Sequence, residues 1–165
     1  MDISTCIIIK ENMLKDHISQ VFEVMTFSEV IAAEEYPRHL FSQNITPFYY
    51  STIKLYSENE SAEYTVRLML SQTLVPRLVT ALIPEKKTIS ENDCRDITGE
   101  ILNTILGNFL LETEDEIQAF SLTPPETGRG KNTAPVTDPI LTLSYMLDDR
   151  YPLMMQFFKG QDHSA

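Results

Sequence analysis

The sequence predicts an α+β domain in which helices pack on a mostly antiparallel sheet. Three observations predict it. Strand-prone segments come in groups, one near residues 47–70 and another from 117 to 158, and do not alternate singly with helices as a doubly wound parallel sheet would require. The two long helical segments are each apolar on one side only, as helices lying on a sheet are. The chain has 165 residues, 42% hydrophobic and 22% charged, which suits one folded domain and is too apolar for a disordered one. A chain of this size buries roughly 70% of its unfolded surface in one core. The expected organisation is one domain over residues 1–165, with a core over about 11–158 and a tail from 159 to 165.

The elements follow in order. Residues 11–27 carry Leu14, Ile18, Val21, Phe22 and Met25 at helical spacing, so they form a helix with one apolar stripe. Pro37 and its polar surroundings make 34–44 a loop. Residues 47–56 are rich in Tyr, Thr and Ile, and 62–70 are similarly β-prone; the polar stretch 57–61 between them predicts an antiparallel hairpin. Thr73 caps a short helix to about Leu82, with Pro76 tolerated in its first turn and Pro84 closing it. Ser90 is the N-cap of a longer helix reaching Leu110 or Leu111, and Glu91, Asp93 and Asp96 stand in its opening turns, where the helix dipole favours anions. Residues 117–122, 139–147 and 151–158 are strands, and Asp148, Asp149 and Arg150 turn the chain between the last two. Residues 123–137, with Pro124, Pro125, Gly128, Gly130 and Pro135, form a long loop.

A formal charge of -11 speaks against a partner held through phosphate backbones, because such binding needs a basic surface, and equally against anionic membranes. No apolar run approaches the roughly 18 residues of a membrane span, and the expected location is the cytoplasm. Cys6 and Cys94 have no local partner for a zinc site or redox pair and read as packed thiols. His17, His39 and His163 show no ligand spacing, and neither a nucleophile elbow nor a phosphate-binding glycine loop is present.

The helix from Ser90 carries the functional information. Cys94, Ile97, Ile101, Leu102, Ile105, Leu106 and Phe109 share its apolar side, whereas Asp96, Glu100, Asn103 and Gly107 form a narrow line opposite. A solvated face has this pattern too, yet its composition is unusual. Asn is a mediocre helix former, and Gly99 and Gly107 each cost about 1 kcal/mol relative to Ala in a helix interior. Of five glycines in the chain, these two flank Asn103 and leave room for another surface to approach. A helix end beginning at Gly107 is the alternative.

The segment Asp96-Ile-Thr-Gly-Glu100-Ile-Leu-Asn103-Thr-Ile-Leu-Gly107-Asn108 resembles the signature helix of the CheC/CheX/FliY phosphatases of bacterial chemotaxis, most nearly a CheX-like domain. The family pattern is an acidic or Ser residue, three positions, Glu, two positions and Asn, with Gly-Asn often following. The first helix holds Ser19-x-x-x-Glu23-x-x-Thr26, the same spacing with Thr in place of Asn, which is either a degenerate second motif or chance polar residues on a solvated face.

The resemblance implies an enzyme that hydrolyses the aspartyl phosphate of a CheY-type response regulator. The regulator would supply the phospho-Asp, a Lys and Mg²⁺, so this chain needs no cofactor or metal of its own. Asn103 would orient the attacking water and Glu100 would pair with the regulator's Lys, with Gly99 and Gly107 at the docking surface. Asp96 would assist docking or serve the helix dipole. The alternative is a non-catalytic CheX-like module that docks a receiver domain or another signalling partner through the same residues. CheX-like proteins often form homodimers, and Phe48 to Tyr50 and Leu153 to Phe158 are candidates for core or interface.

Overall fold

A computed structural model of the chain describes residues 3–26, 30–32, 48–57, 62–113, 120–130 and 138–160. Among these, the order is α1 (Ile3–Ile9), α2 (Glu11–Thr26), β1 (Val30–Ala32), β2 (Phe48–Ser57), β3 (Ala62–Ser71), α3 (Val75–Leu82), α4 (Glu91–Glu112), β4 (Phe120–Leu122), β5 (Glu126–Gly130), β6 (Leu141–Leu147) and β7 (Tyr151–Lys159). The fold class is the expected one. Seven strands form a single sheet in the order β1-β6-β7-β3-β2, with β4 and β5 following one another along the outer edge of β2, and every pairing is antiparallel.

Period-2 alternation decides which side chains meet the helices. In β2, Tyr49, Ile53 and Leu55 enter the main core; in β3, Tyr64, Val66, Leu68 and Leu70 do, beside Leu153, Met155 and Phe157 of β7. Against this face lie Leu14, Ile18, Val21 and Phe22 of α2 and Ile101, Leu102, Ile105, Leu106 and Phe109 of α4, all buried. Burying side chains of this size stabilises by about 1.5–3 kcal/mol each, so these stripes hold both helices on the sheet. Phe48, Met69 and Met154 form a small second cluster on the other face, with Tyr50 against it. The two segments left open between core and interface are therefore core: Phe48, Tyr49, Leu153, Met154, Met155, Phe157 and Phe158 are all buried within the chain.

Several expectations need correction. Helix α1 and the three-residue strand β1, which pairs with β6, have no counterpart in the elements expected from sequence. The residue at the N-cap of α3 is Leu74, without a side-chain cap; Thr73 instead places its hydroxyl 3.4 Å from that of Ser71. Pro76 does sit in the first turn, as expected. Asp148 and Asp149 both adopt positive φ in the tight turn between β6 and β7.

The largest correction concerns the long loop expected over 123–137. Its residues 126–130 are β5, hydrogen-bonded along β2 from Phe48 to Thr52. Glycine and proline composition suggested a loop, but here glycine serves a strand. A Cβ at Gly128 would stand 2.4 Å from the Tyr50 hydroxyl oxygen, so only glycine lets this edge lie beside that ring. Thr123 joins β4 to β5 by donating its amide to the Lys54 carbonyl at 3.0 Å and accepting the Lys54 amide on Oγ1 at 3.0 Å. Residues 131–137 of that loop, the 34–44 loop, the 58–61 turn, residues 117–119, His39, His163 and most of the tail lie outside the described residues.

Candidate functional site

Helix α4 is fastened before it presents anything. Ser90 is its N-cap, as expected. Its hydroxyl accepts the Asp93 amide at 3.2 Å, and the Asp93 carboxylate accepts the Ser90 amide at 2.8 Å, a reciprocal capping box. Lys86 pairs with the same carboxylate. The Lys86 ammonium first, then the Ser90 amide and hydroxyl, hold the Asp93 carboxyl down at about 2.

Along the buried side, Thr98 donates to the Cys94 carbonyl at 2.7 Å, and the Cys94 thiol meets the Tyr49 hydroxyl. Burial pushes both the Cys94 and Tyr49 groups up, so Cys94 is the packed, un-ionised thiol that its spacing implied. At the far end Thr113 donates to the Phe109 carbonyl at 2.8 Å, and the buried His17 of α2 brings Nε2 to 3.3 Å from a Glu112 carboxylate oxygen. The helix is thus capped at its N-terminus and held along its length by its buried side.

The flank of its first turns is set by β5. Glu91 pairs with Arg95 and lies 3.8 Å from Arg129, whose guanidinium stands 5.8 Å from the centre of the Tyr49 ring. Such exposed pairs contribute little to stability, but they line the edge of the helix face with fixed charges.

Opposite the core, Asp96, Glu100 and Asn103 are all exposed and fall on one line, as their spacing predicts. None of the three side chains hydrogen-bonds or ion-pairs with another described residue. Glu100 and Asn103 are three positions apart, which places their Cβ atoms about 5–6 Å from one another on the same surface. Asp96 is the sixth residue of α4, beyond the first turn in which the dipole acts, so the dipole does not account for it.

The two glycines separate. Gly99 is buried, and a Cβ there would meet Thr127 Cγ2 at 3.2 Å and Pro125 Cγ at 3.3 Å. The room it makes is filled by β5 and the residue preceding it, so the close approach is internal and not open to a partner. Gly107 is different: beyond its own stretch of helix, no atom of the described residues lies within 4 Å of where its Cβ would be. The polar line expected from the sequence stops at Gly107, yet it continues one turn further to Leu111, which is 72% exposed. Continuing the i, i+4 count would have found it. In α2, Ser19 is half-buried and Glu23 exposed, and the side chain of Thr26 lies outside the described residues.

The arrangement can therefore offer a partner two carboxylates, one carboxamide and a bare stretch of backbone on a rigid rod. No cluster of three His, Cys, Asp or Glu side chains among the described residues is placed to hold a metal ion. No described helix is long and apolar enough to cross a membrane.

Residues 50–144 match the family model described as chemotaxis phosphatase CheX. No curated protein matches the chain. Among solved structures, the fold is similar to a chemotaxis protein CheX from Desulfovibrio desulfuricans, with a TM-score of 0.65 at 12% identity over 89% of this chain and 96% of that one. It is also similar to a CheC-like superfamily protein from Shewanella sp. PV-4, with a TM-score of 0.63 at 16% identity, covering 96% and 99% of the two chains. A third is the CheX-CheY-BeF3-Mg complex from Borrelia burgdorferi, with a TM-score of 0.63 at 14% identity over 90% of this chain and 96% of that chain. At these identities the structures speak to the fold.

Proposed function

The chain belongs to the chemotaxis phosphatase CheX family, and from that premise we propose that it hydrolyses the aspartyl phosphate of a CheY-type receiver domain, with Asn103 positioning the water. The observation that carries this reading is the exposed Glu100 and Asn103 pair, neither partnered by another described residue, on a helix whose opposite side is buried and whose N-terminus is capped. A group meant to order a water gains from being held rigidly before the partner arrives.

The chemistry asks little of this chain. An acyl phosphate is already activated, and phosphoryl transfer is accelerated mainly by alignment and charge stabilisation. In this reading the Asn103 carboxamide oxygen accepts a hydrogen bond from the water while its N–H donates to a phosphoryl oxygen. The water oxygen attacks phosphorus in line with the acyl oxygen. The bond between phosphorus and that oxygen breaks, its electron pair leaves on the receiver's carboxylate, and the water's proton goes to the released inorganic phosphate. A neutral amide suits this place because it both accepts and donates without bringing negative charge toward the phosphoryl group. Glu100 pairs with the receiver's Lys and fixes the register of docking, with Asp96 extending the same acidic side. The Mg²⁺ belongs to the receiver. As part of this reading the chain also forms a homodimer, as CheX-like proteins often do.

The test is phosphate release from a CheY-type receiver domain phosphorylated by a small phosphodonor. Adding this protein should raise the rate well above the receiver's own. If the rate is unchanged while the protein still binds the beryllofluoride-loaded receiver, it is a docking module and not an enzyme.

A further inference from the structure

Two residues of α4 stand apart from the core, and both lie on the line that carries Asn103. Gly107 stands in a helix interior where a Cβ would meet no other described residue within 4 Å, so packing against them does not call for a glycine. Leu111 is 72% exposed in the last turn, while its neighbour Leu110 packs against the core and Leu111 does not. At about 100° per residue, Glu100, Asn103, Gly107 and Leu111 fall within an arc of about 80°. Asn92, Asp96 and Glu100, at successive i, i+4 positions and all exposed, occupy the N-terminal half of the same face. From Asp96 onward the face runs through two carboxylates, a carboxamide, bare backbone and an apolar side chain.

An isolated exposed Leu is ordinary on a protein surface, and Ile8, Ile9 and Val24 are exposed elsewhere. Leu111 differs in its continuity with the docking line and in the bare turn that precedes it. We propose that Leu111 is an apolar anchor for the receiver domain, so that docking uses the whole length of this face and the Glu100 and Asn103 turn is only its centre. This rests on the phosphatase reading above. Eight residues of helix put Leu111 about 12 Å beyond Asn103. The receiver served by this chain therefore carries an apolar patch about that far from its phosphoryl group, on the side away from its active-site Lys. The missing side chain at Gly107 lets the receiver's surface descend onto the helix between those two contacts.

The test compares wild type with Leu111→Asp and Leu111→Met. The dissociation constant is measured for a CheY-type receiver loaded with beryllofluoride and Mg²⁺, and KM and kcat for the phosphorylated receiver. Leu111→Asp should raise both Kd and KM about tenfold, the effect of removing a partly buried apolar contact, with kcat within about twofold. Leu111→Met should restore both constants to near the wild-type values. An Asp in the last turn meets the negative end of the helix dipole, so Leu111→Asp should lower the melting temperature by a few degrees at most and Leu111→Met should leave it unchanged; both stay folded at the assay temperature, so lost folding cannot mimic the result. Wild-type affinity in Leu111→Asp, with Glu100→Ala weakened, overturns the anchor and leaves the phosphatase reading intact. A wild-type protein that neither binds nor dephosphorylates the receiver overturns both. Loss of self-association in Leu111→Asp at unchanged receiver affinity would make Leu111 a contact between copies of this chain and overturn the proposal.

Discussion

Gly107→Ala should make the protein more stable. A glycine in a helix interior costs about 1 kcal/mol relative to alanine, because the unfolded chain loses more freedom on folding. The usual reason to keep one is a close neighbour, and here there is none within 4 Å among the described residues. The substitution should thus stabilise by about 0.5–1 kcal/mol, raising the melting temperature by about 1–4 °C for a chain of this size. Gly99→Ala is the control on the same helix. The same propensity gain is offset there by contacts at 3.2 Å and 3.3 Å to Thr127 and Pro125, and overpacking of that kind costs about 1–3 kcal/mol. Gly99→Ala should therefore be neutral or destabilising. Urea denaturation of the three proteins, read at equal slope, gives both differences directly. The stabilised Gly107→Ala should at the same time bind the receiver less well, since its methyl stands out on the docking face. A Gly107→Ala protein that is less stable than wild type, or a Gly99→Ala protein that gains as much as Gly107→Ala, would refute the assignment of one glycine to the fold and the other to a partner.

Two further outcomes are expected. Asp93, held near 2 by Lys86 and Ser90 against an ordinary value of 3.8, has a folded pKa below its unfolded one, so its contribution is present above about pH 4 and is lost as pH falls from there toward 2. A carboxyl titration by NMR should place its midpoint near 2 and move it upward in Lys86→Ala; an unmoved midpoint contradicts the pairing. Sedimentation at working concentration should show a homodimer, and a monomer only would remove that part of the reading.

The helix that carries the site was legible because its signals are local. Ser90 and Asp93 are three residues apart and cap each other, and the apolar stripe from Cys94 to Phe109 needs only the helical period. The β2–β3 hairpin and the β6–β7 pair were visible for the same reason, through alternation and turn chemistry. What was not legible depends on distant partners. Residues 126–130 become a strand only because β2 offers an unpaired edge and Gly128 clears the Tyr50 ring, and nothing near them in sequence announces either. Gly99 reads from sequence like Gly107; only the position of Pro125 and Thr127 tells them apart. Thr73 is an acceptable cap by composition, but the first helical hydrogen bonds of α3, from the Arg77 and Leu78 amides, both run to the Leu74 carbonyl, and local composition does not show that.

The central claim is that Asn103 acts on the water and Glu100 on the receiver. The most direct measurement is single-turnover dephosphorylation of a phosphorylated CheY-type receiver at increasing concentrations of wild type, Asn103→Ala and Glu100→Ala. Asn103→Ala should lower the saturated rate by about a hundredfold or more, toward the receiver's own hydrolysis, with little change in the half-saturating concentration. Glu100→Ala should chiefly raise that concentration. An Asn103→Ala protein that reaches the wild-type saturated rate would contradict the account.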